Sequence, residues 1–160
     1  MTATTDVSRH DRTLERLAEL GLKLPTPAAP VTSYVPAVRA GNLIFTSGQL
    51  PLSEGGLAGT GKVGAEVSTD EAAELARLCT LNALAAASAL ADLDSIRIVK
   101  VVGFVSSADG FTGQPAVING ASDLLLEIFG ERGEHARSAV GMAELPLNAP
   151  VEVELVVEVS

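Results

Sequence analysis

Inside the β-branched run Ile96–Val105, the stretch Val101-Val-Gly-Phe-Val105 carries no polar side chain on either face. Successive residues of a strand point to opposite sides, so a strand apolar on both must be covered on both. The segment Val151–Val159 follows a different rule: Val151, Val153, Leu155 and Val157 alternate with Glu152, Glu154 and Glu158. That period of two predicts a strand with one face in the core.

Two helices are predicted to supply part of the cover. Ser68-Thr-Asp-Glu71 has the form of a capping box and opens a helix running to about Ala91. Its apolar stripe, Ala72, Leu75, Ala76, Cys79, Ala83, Ala86, Ala87 and Leu90, is made largely of small residues that allow close approach to a sheet. A second helix starts at Pro115 and ends before Gly130, burying Val117, Ala121, Leu124, Leu125 and Ile128 and turning Asn119, Ser122, Asp123 and Glu127 outward. Upstream, Tyr34–Val38 and Leu43–Thr46 flank Arg39-Ala-Gly-Asn42, a β-hairpin in which Gly41 and Asn42 are expected to take the positive φ of a tight turn. Leu52–Val67, with five glycines and no periodicity, reads as a loop, and Gly61-Lys62-Val63 lacks the hydroxyl of a phosphate-binding motif. Residues 1–30 read as an N-terminal helix, Ser8–Leu20, and a Pro-rich linker, Lys23–Pro30, ahead of a main domain at 31–160.

The main domain thus runs β-β-α-β-α-β-β, an α+β architecture with a mixed sheet and two helices on one face. Two helices leave the other face bare. Its apolar residues are expected to be an association surface, making the chain an oligomer.

Composition narrows the function classes. The 160 residues hold 11 Lys and Arg against 20 Asp and Glu, a net charge of −9, and five aromatics. Nucleic-acid affinity rests on clustered cations and stacking platforms, so no nucleic-acid partner is expected. The single cysteine, Cys79, sits in an apolar stripe and is expected to be buried and inert. With His10 and His135 far apart, no metal cluster can be read from spacing. The lone cysteine, the polar Met1–Arg12 segment and the lack of a long apolar run predict a cytoplasmic protein with no membrane partner.

The chemistry-bearing candidates are few. Arg137 stands at the start of an apolar strand, and its planar fork of donors suits a carboxylate. It could be paired to a strand glutamate, reach solvent, or receive a ligand. Glu152 and Glu154 face away from the core; they are either solvated or, if that face is an interface, placed where a carboxylate gains proton affinity and can act as general acid or base.

Tyr34, the segment Gly41-Asn-Leu-Ile-Phe-Thr-Ser-Gly-Gln-Leu-Pro51, Asn119, Arg137-Ser138, and Leu145-Pro146 followed by Val151-Glu-Val-Glu154 resemble the RidA/YjgF family of enamine/imine deaminases, also labelled L-PSP endoribonuclease-like. The likeness spans about residues 31–159. It implies a chorismate-mutase-like fold assembled as a homotrimer, with active sites in clefts between subunits and no cofactor. By the same resemblance Arg137 binds the carboxylate of a short 2-imino or 2-enamino acid and Glu152 positions or activates water. Tyr34, Ser47, Gly48, Asn119 and the backbone carbonyl of Ala139 complete the substrate contacts. Many members carry cysteine where this chain has Ala139, so thiol-dependent modification of the site is not expected. The alternatives are a trimeric module that binds small carboxylates without turnover and, against the charge, an RNA-cleaving enzyme.

Overall fold

A computed structural model of the chain describes residues 10–27 and 33–160. The first helix, α1 (Asp11–Glu19), is followed by β1 (Ala37–Ala40) and β2 (Leu43–Thr46), then a small hairpin of β3 (Leu52–Ser53) and β4 (Gly56–Leu57). Helix α2 (Thr69–Ser88), β5 (Ile96–Ser106), α3 (Gln114–Phe129), β6 (Ala136–Met142) and β7 (Val151–Val159) complete the chain. The main sheet has the order β1-β2-β7-β5-β6. It is mixed: β5 and β6 are parallel, joined by α3, and the other neighbours are antiparallel.

The core lies between this sheet and the helices. Val151, Val153, Leu155 and Val157 of β7 are buried beneath α2, with Val101 and Val105 of β5 beside them in the same core and α3 lying over β5 and β6. Ser68 caps α2 in a reciprocal box, its hydroxyl accepting from Glu71 N while the Glu71 carboxylate accepts from Ser68 N. Two glycines set how tightly α3 packs. A Cβ on Gly103 of β5 would run into the Ile118 side chain, and one on Gly120 of α3 would strike the carbonyl oxygen of Ala73 on α2. Both positions trade a side chain for close approach of backbones.

Several sequence expectations are corrected. Pro36 cannot donate to a ladder, so β1 starts at Ala37 rather than Tyr34. Gly41 takes a positive φ of 61° in the hairpin turn, but Asn42 does not. The stretch predicted as a plain loop contains the β3–β4 hairpin, whose two-residue strands are too short to show a period. The expected N-terminal helix is present as α1, beside the two helices of the main domain. Leu17 of α1 is buried in the same core as the main sheet, and Thr13 Oγ1 donates to Asp94 Oδ1 at 2.7 Å. The predicted helix start at Ser8 and the linker residues 28–30 lie outside the described residues.

Among the described residues, no element covers the far face of the sheet. Val38, Phe45 and Val156 stand side by side across β1, β2 and β7, and Phe104 lies between Glu152 and Val140 across β7, β5 and β6. Val38 is 54% exposed and Phe45 45%. Among the described residues no helix is long and apolar enough to cross a membrane.

Candidate functional site

Arg137 is the second residue of β6 and is paired with Val101, a core residue, so its side chain leaves the sheet on the helix-covered side. There it meets α3. Its Nη1 donates to Asn119 Oδ1 at 2.8 Å and to Ser122 Oγ at 3.3 Å, and its Nη2 approaches the Pro115 carbonyl at 3.5 Å. Asn119 and Ser122 are three residues apart on one helical turn, which is why both reach the same guanidinium. All three acceptors are neutral. No ion pair joins Arg137 to a carboxylate among the described residues, so of the alternatives open to it, pairing with a strand glutamate is not the one found there. A cation oriented by neutral dipoles keeps its charge available to an anion.

Ser122 extends the chain of contacts. Its hydroxyl lies 2.8 Å from His135 Nε2, and His135 Nδ1 lies 2.6 Å from the Gly133 carbonyl oxygen. Sequence reasoning placed Ser122 on the polar side of its helix and His135 two residues before Arg137 without joining them. The available signal was the return of β6 alongside α3, which sets two polar side chains near the arginine.

Glu152 belongs to a second neighbourhood, on the other face. In β7 it alternates with the core valines and is paired with Phe104 of β5. Its carboxylate lies over Gly48, where a Cβ would overlap it. Burial, and then the negative charge of Glu154, raise its proton affinity above the usual glutamate range. Ser47 anchors the segment that carries Tyr34: its Oγ donates to Val35 O and its backbone N to Pro36 O, each at 2.7 Å. Tyr34 itself is 63% exposed.

The expected residues therefore fall into two groups. Arg137 and Asn119 are together on the helix side, with Ala139 two residues along β6; Tyr34, Ser47, Gly48 and Glu152 are gathered at the β2 end and the open face. Within one chain the structure does not bring Arg137 and Glu152 together. A cavity of about 540 Å³ lies elsewhere, between Lys23–Thr26, the β3 segment and α2, and none of the expected site residues lines it. Cys79 is fully buried, and burial followed by the charge of Glu152 pushes its thiol pKa well up, away from nucleophilic use.

The family described as "YjgF/chorismate mutase-like, putative endoribonuclease" matches residues 14–159. The chain belongs to this family. The YjgF match begins inside α1 and so takes in the N-terminal helix. Among curated relatives, Protein TCP17 of Trypanosoma cruzi is 47% identical over 93% of this chain and 95% of its own length. A 2-iminobutanoate/2-iminopropanoate deaminase of Dermatophagoides farinae is 32% identical over 85% of this chain and 93% of its own. Among solved structures, the protein Atu1372 from Agrobacterium tumefaciens superposes with a TM-score of 0.86 at 47% identity, covering 94% of each chain. The α+β, chorismate-mutase-like YjgF fold with a mixed sheet and three helices is thereby established.

Proposed function

We propose that this chain hydrolyses short 2-imino or 2-enamino acids to 2-keto acids and ammonia, acting as a cytoplasmic homotrimer. The observation that carries the reading is the guanidinium of Arg137, aimed by Asn119 and Ser122 and bound to no carboxylate of its own fold among the described residues. The likeness to a relative named as an imine deaminase supports the same reaction class.

The chemistry asks little of the site. Imines hydrolyse unaided, so a protein need only hold the acid group, orient the C=N bond and direct a water. Arg137 grips the substrate carboxylate with its fork of donors. Glu152, with its raised proton affinity, orients the water and takes a proton as the oxygen adds to the imine carbon. The carbinolamine then expels ammonia, the proton returning to nitrogen, and the keto acid remains; no cofactor is required. The Ala139 carbonyl offers a second acceptor for the water.

The two groups of residues lie on opposite faces of one sheet, and a second copy of the chain brings them into a common cleft. In the proposed trimer Arg137, Asn119 and Ala139 of one subunit face Tyr34, Ser47, Gly48 and Glu152 of its neighbour, and the apolar rows on the open sheet face become the contact. A non-catalytic carboxylate-binding role is the second reading, favoured by Arg137 being fully braced without Glu152. The two are told apart by generating imines from short amino acids with an amino-acid oxidase and following ammonia and keto-acid release. Release above the spontaneous rate supports hydrolysis; release at that rate, with 2-keto acid binding intact, leaves the binding role.

A further inference from the structure

Ser122 stands between Arg137 and His135, in hydrogen-bond contact with both. A carbonyl oxygen can only accept, so the Gly133 contact places a hydrogen on His135 Nδ1. In the neutral ring Nε2 then accepts, and the one hydrogen of Ser122 is committed to it, while Ser122 Oγ accepts from Arg137. When the ring is protonated, Nε2 becomes a donor. Ser122 Oγ now receives hydrogen bonds from both His135 and Arg137, one on each lone pair, and its own hydrogen is released.

We infer that His135, acting through Ser122, is a proton-linked positioning residue: its protonation frees the Ser122 hydroxyl to donate to a carboxylate held on Arg137 and adds a second positive charge behind it. This rests on the reading of Arg137 as a carboxylate anchor. Binding and protonation are then coupled in both directions, as linkage requires. The bound acid draws a proton onto His135, and acidification tightens the acid.

The charges around the ring do not supply another partner. Asp123 and Glu127 on α3 lie on its polar side, and Glu127 is engaged by Arg77. In the turn after α3, Arg132 is taken up by the carbonyls of Leu93, Asp94 and Ile96, with Glu131 beside it in sequence. Glu134 adjoins His135 in the chain, and Lys100, across from Ala136 on β5, points to the opposite face. Among the described residues the polar side chain bonded to His135 is Ser122 alone, and Arg137 is the charged group reached through it.

The test is calorimetric titration of the full chain with 2-oxobutanoate between about pH 6 and 8, in buffers of different ionisation enthalpy. Wild type is expected to bind about fivefold more tightly at the acid end, with net proton uptake. His135→Gln, which keeps an acceptor but cannot titrate, should bind with a flat profile and lose that uptake, as should Ser122→Ala; Ser122→Thr should restore both. Glu152→Gln is run alongside, because that carboxyl also gains protons readily. Binding that is independent of pH in the wild type, or a slope unchanged in His135→Gln, overturns the inference and leaves the anchoring role of Arg137 standing. No binding at any pH overturns both.

Discussion

The carboxylate of Glu152 occupies the space that a side chain at position 48 would need. Gly48 is thus where strand β2, having left its ladder, clears room for an acid from the neighbouring β7. The obstructed atoms are the far end of a flexible side chain, so the residue that yields is Glu152. Gly48→Ala should fold normally, with a urea midpoint close to wild type, while imine hydrolysis falls by about two orders of magnitude through misplacement of the acid. Steady-state keto-acid release beside denaturation curves checks both halves.

Arg137→Lys keeps the charge and loses the fork. A lysine ammonium is a point donor and cannot satisfy Asn119, Ser122 and a planar carboxylate together. Turnover should drop at least about a hundredfold, and the affinity for 2-keto acids should fall with it in calorimetry. Retained activity would show that charge alone suffices.

For Glu152 the proton affinity is raised, so the folded chain holds a proton that the unfolded chain has already released. The window opens at the usual glutamate value of 4.5 and extends upward to the raised one. Across it stability falls as pH rises, and the penalty is complete above it. Glu152→Gln should therefore be more stable than wild type at about pH 7 and lose that advantage below about pH 4. Urea midpoints for both proteins at several pH values decide it; a difference that ignores pH would contradict the burial of this carboxyl.

Gly120→Ala meets backbone rather than side chain. Its new methyl would press on the Ala73 carbonyl of α2, which cannot turn aside without moving the helix. A loss of about 1–3 kcal/mol is expected, the range for an overpacked core. The matching measurement is chemical denaturation, read against Ala116→Gly, a change at the exposed start of the same helix.

Ser106 offers the opposite case. Its hydroxyl is fully buried at the end of β5 and has no hydrogen-bond partner among the described residues. Replacing it with alanine removes an unpaid desolvation and should raise stability by about 1 kcal/mol, seen as a higher urea midpoint at unchanged slope.

The legible parts of this fold are those written in local chemistry. The alternation in β7, the Ser68–Glu71 box and the helix boundaries at Pro115 and Gly130 each depend on residues within one turn or one pleat, and each stands where the pattern put it, within a residue or so. What resisted reading depends on pairing at a distance. The face on which Arg137 emerges is set by its register against Val101, after a helical crossover whose length says nothing about parity. The bond between Ser122 and His135 likewise needs the phase of a helix relative to a strand, which neither segment carries alone. The β3–β4 hairpin was hidden because strands of two residues have no period.

Arg137 and the side chain that steadies it at 2.8 Å are only 18 positions apart along the chain, within a single helix-to-strand return. The acid at 152 is drawn from another strand and another face. On the proposed reading, capture of an organic anion and attack upon it are encoded in separate stretches, open to change one without the other. If that reading holds, a change confined to one strand would abolish attack and leave capture in place.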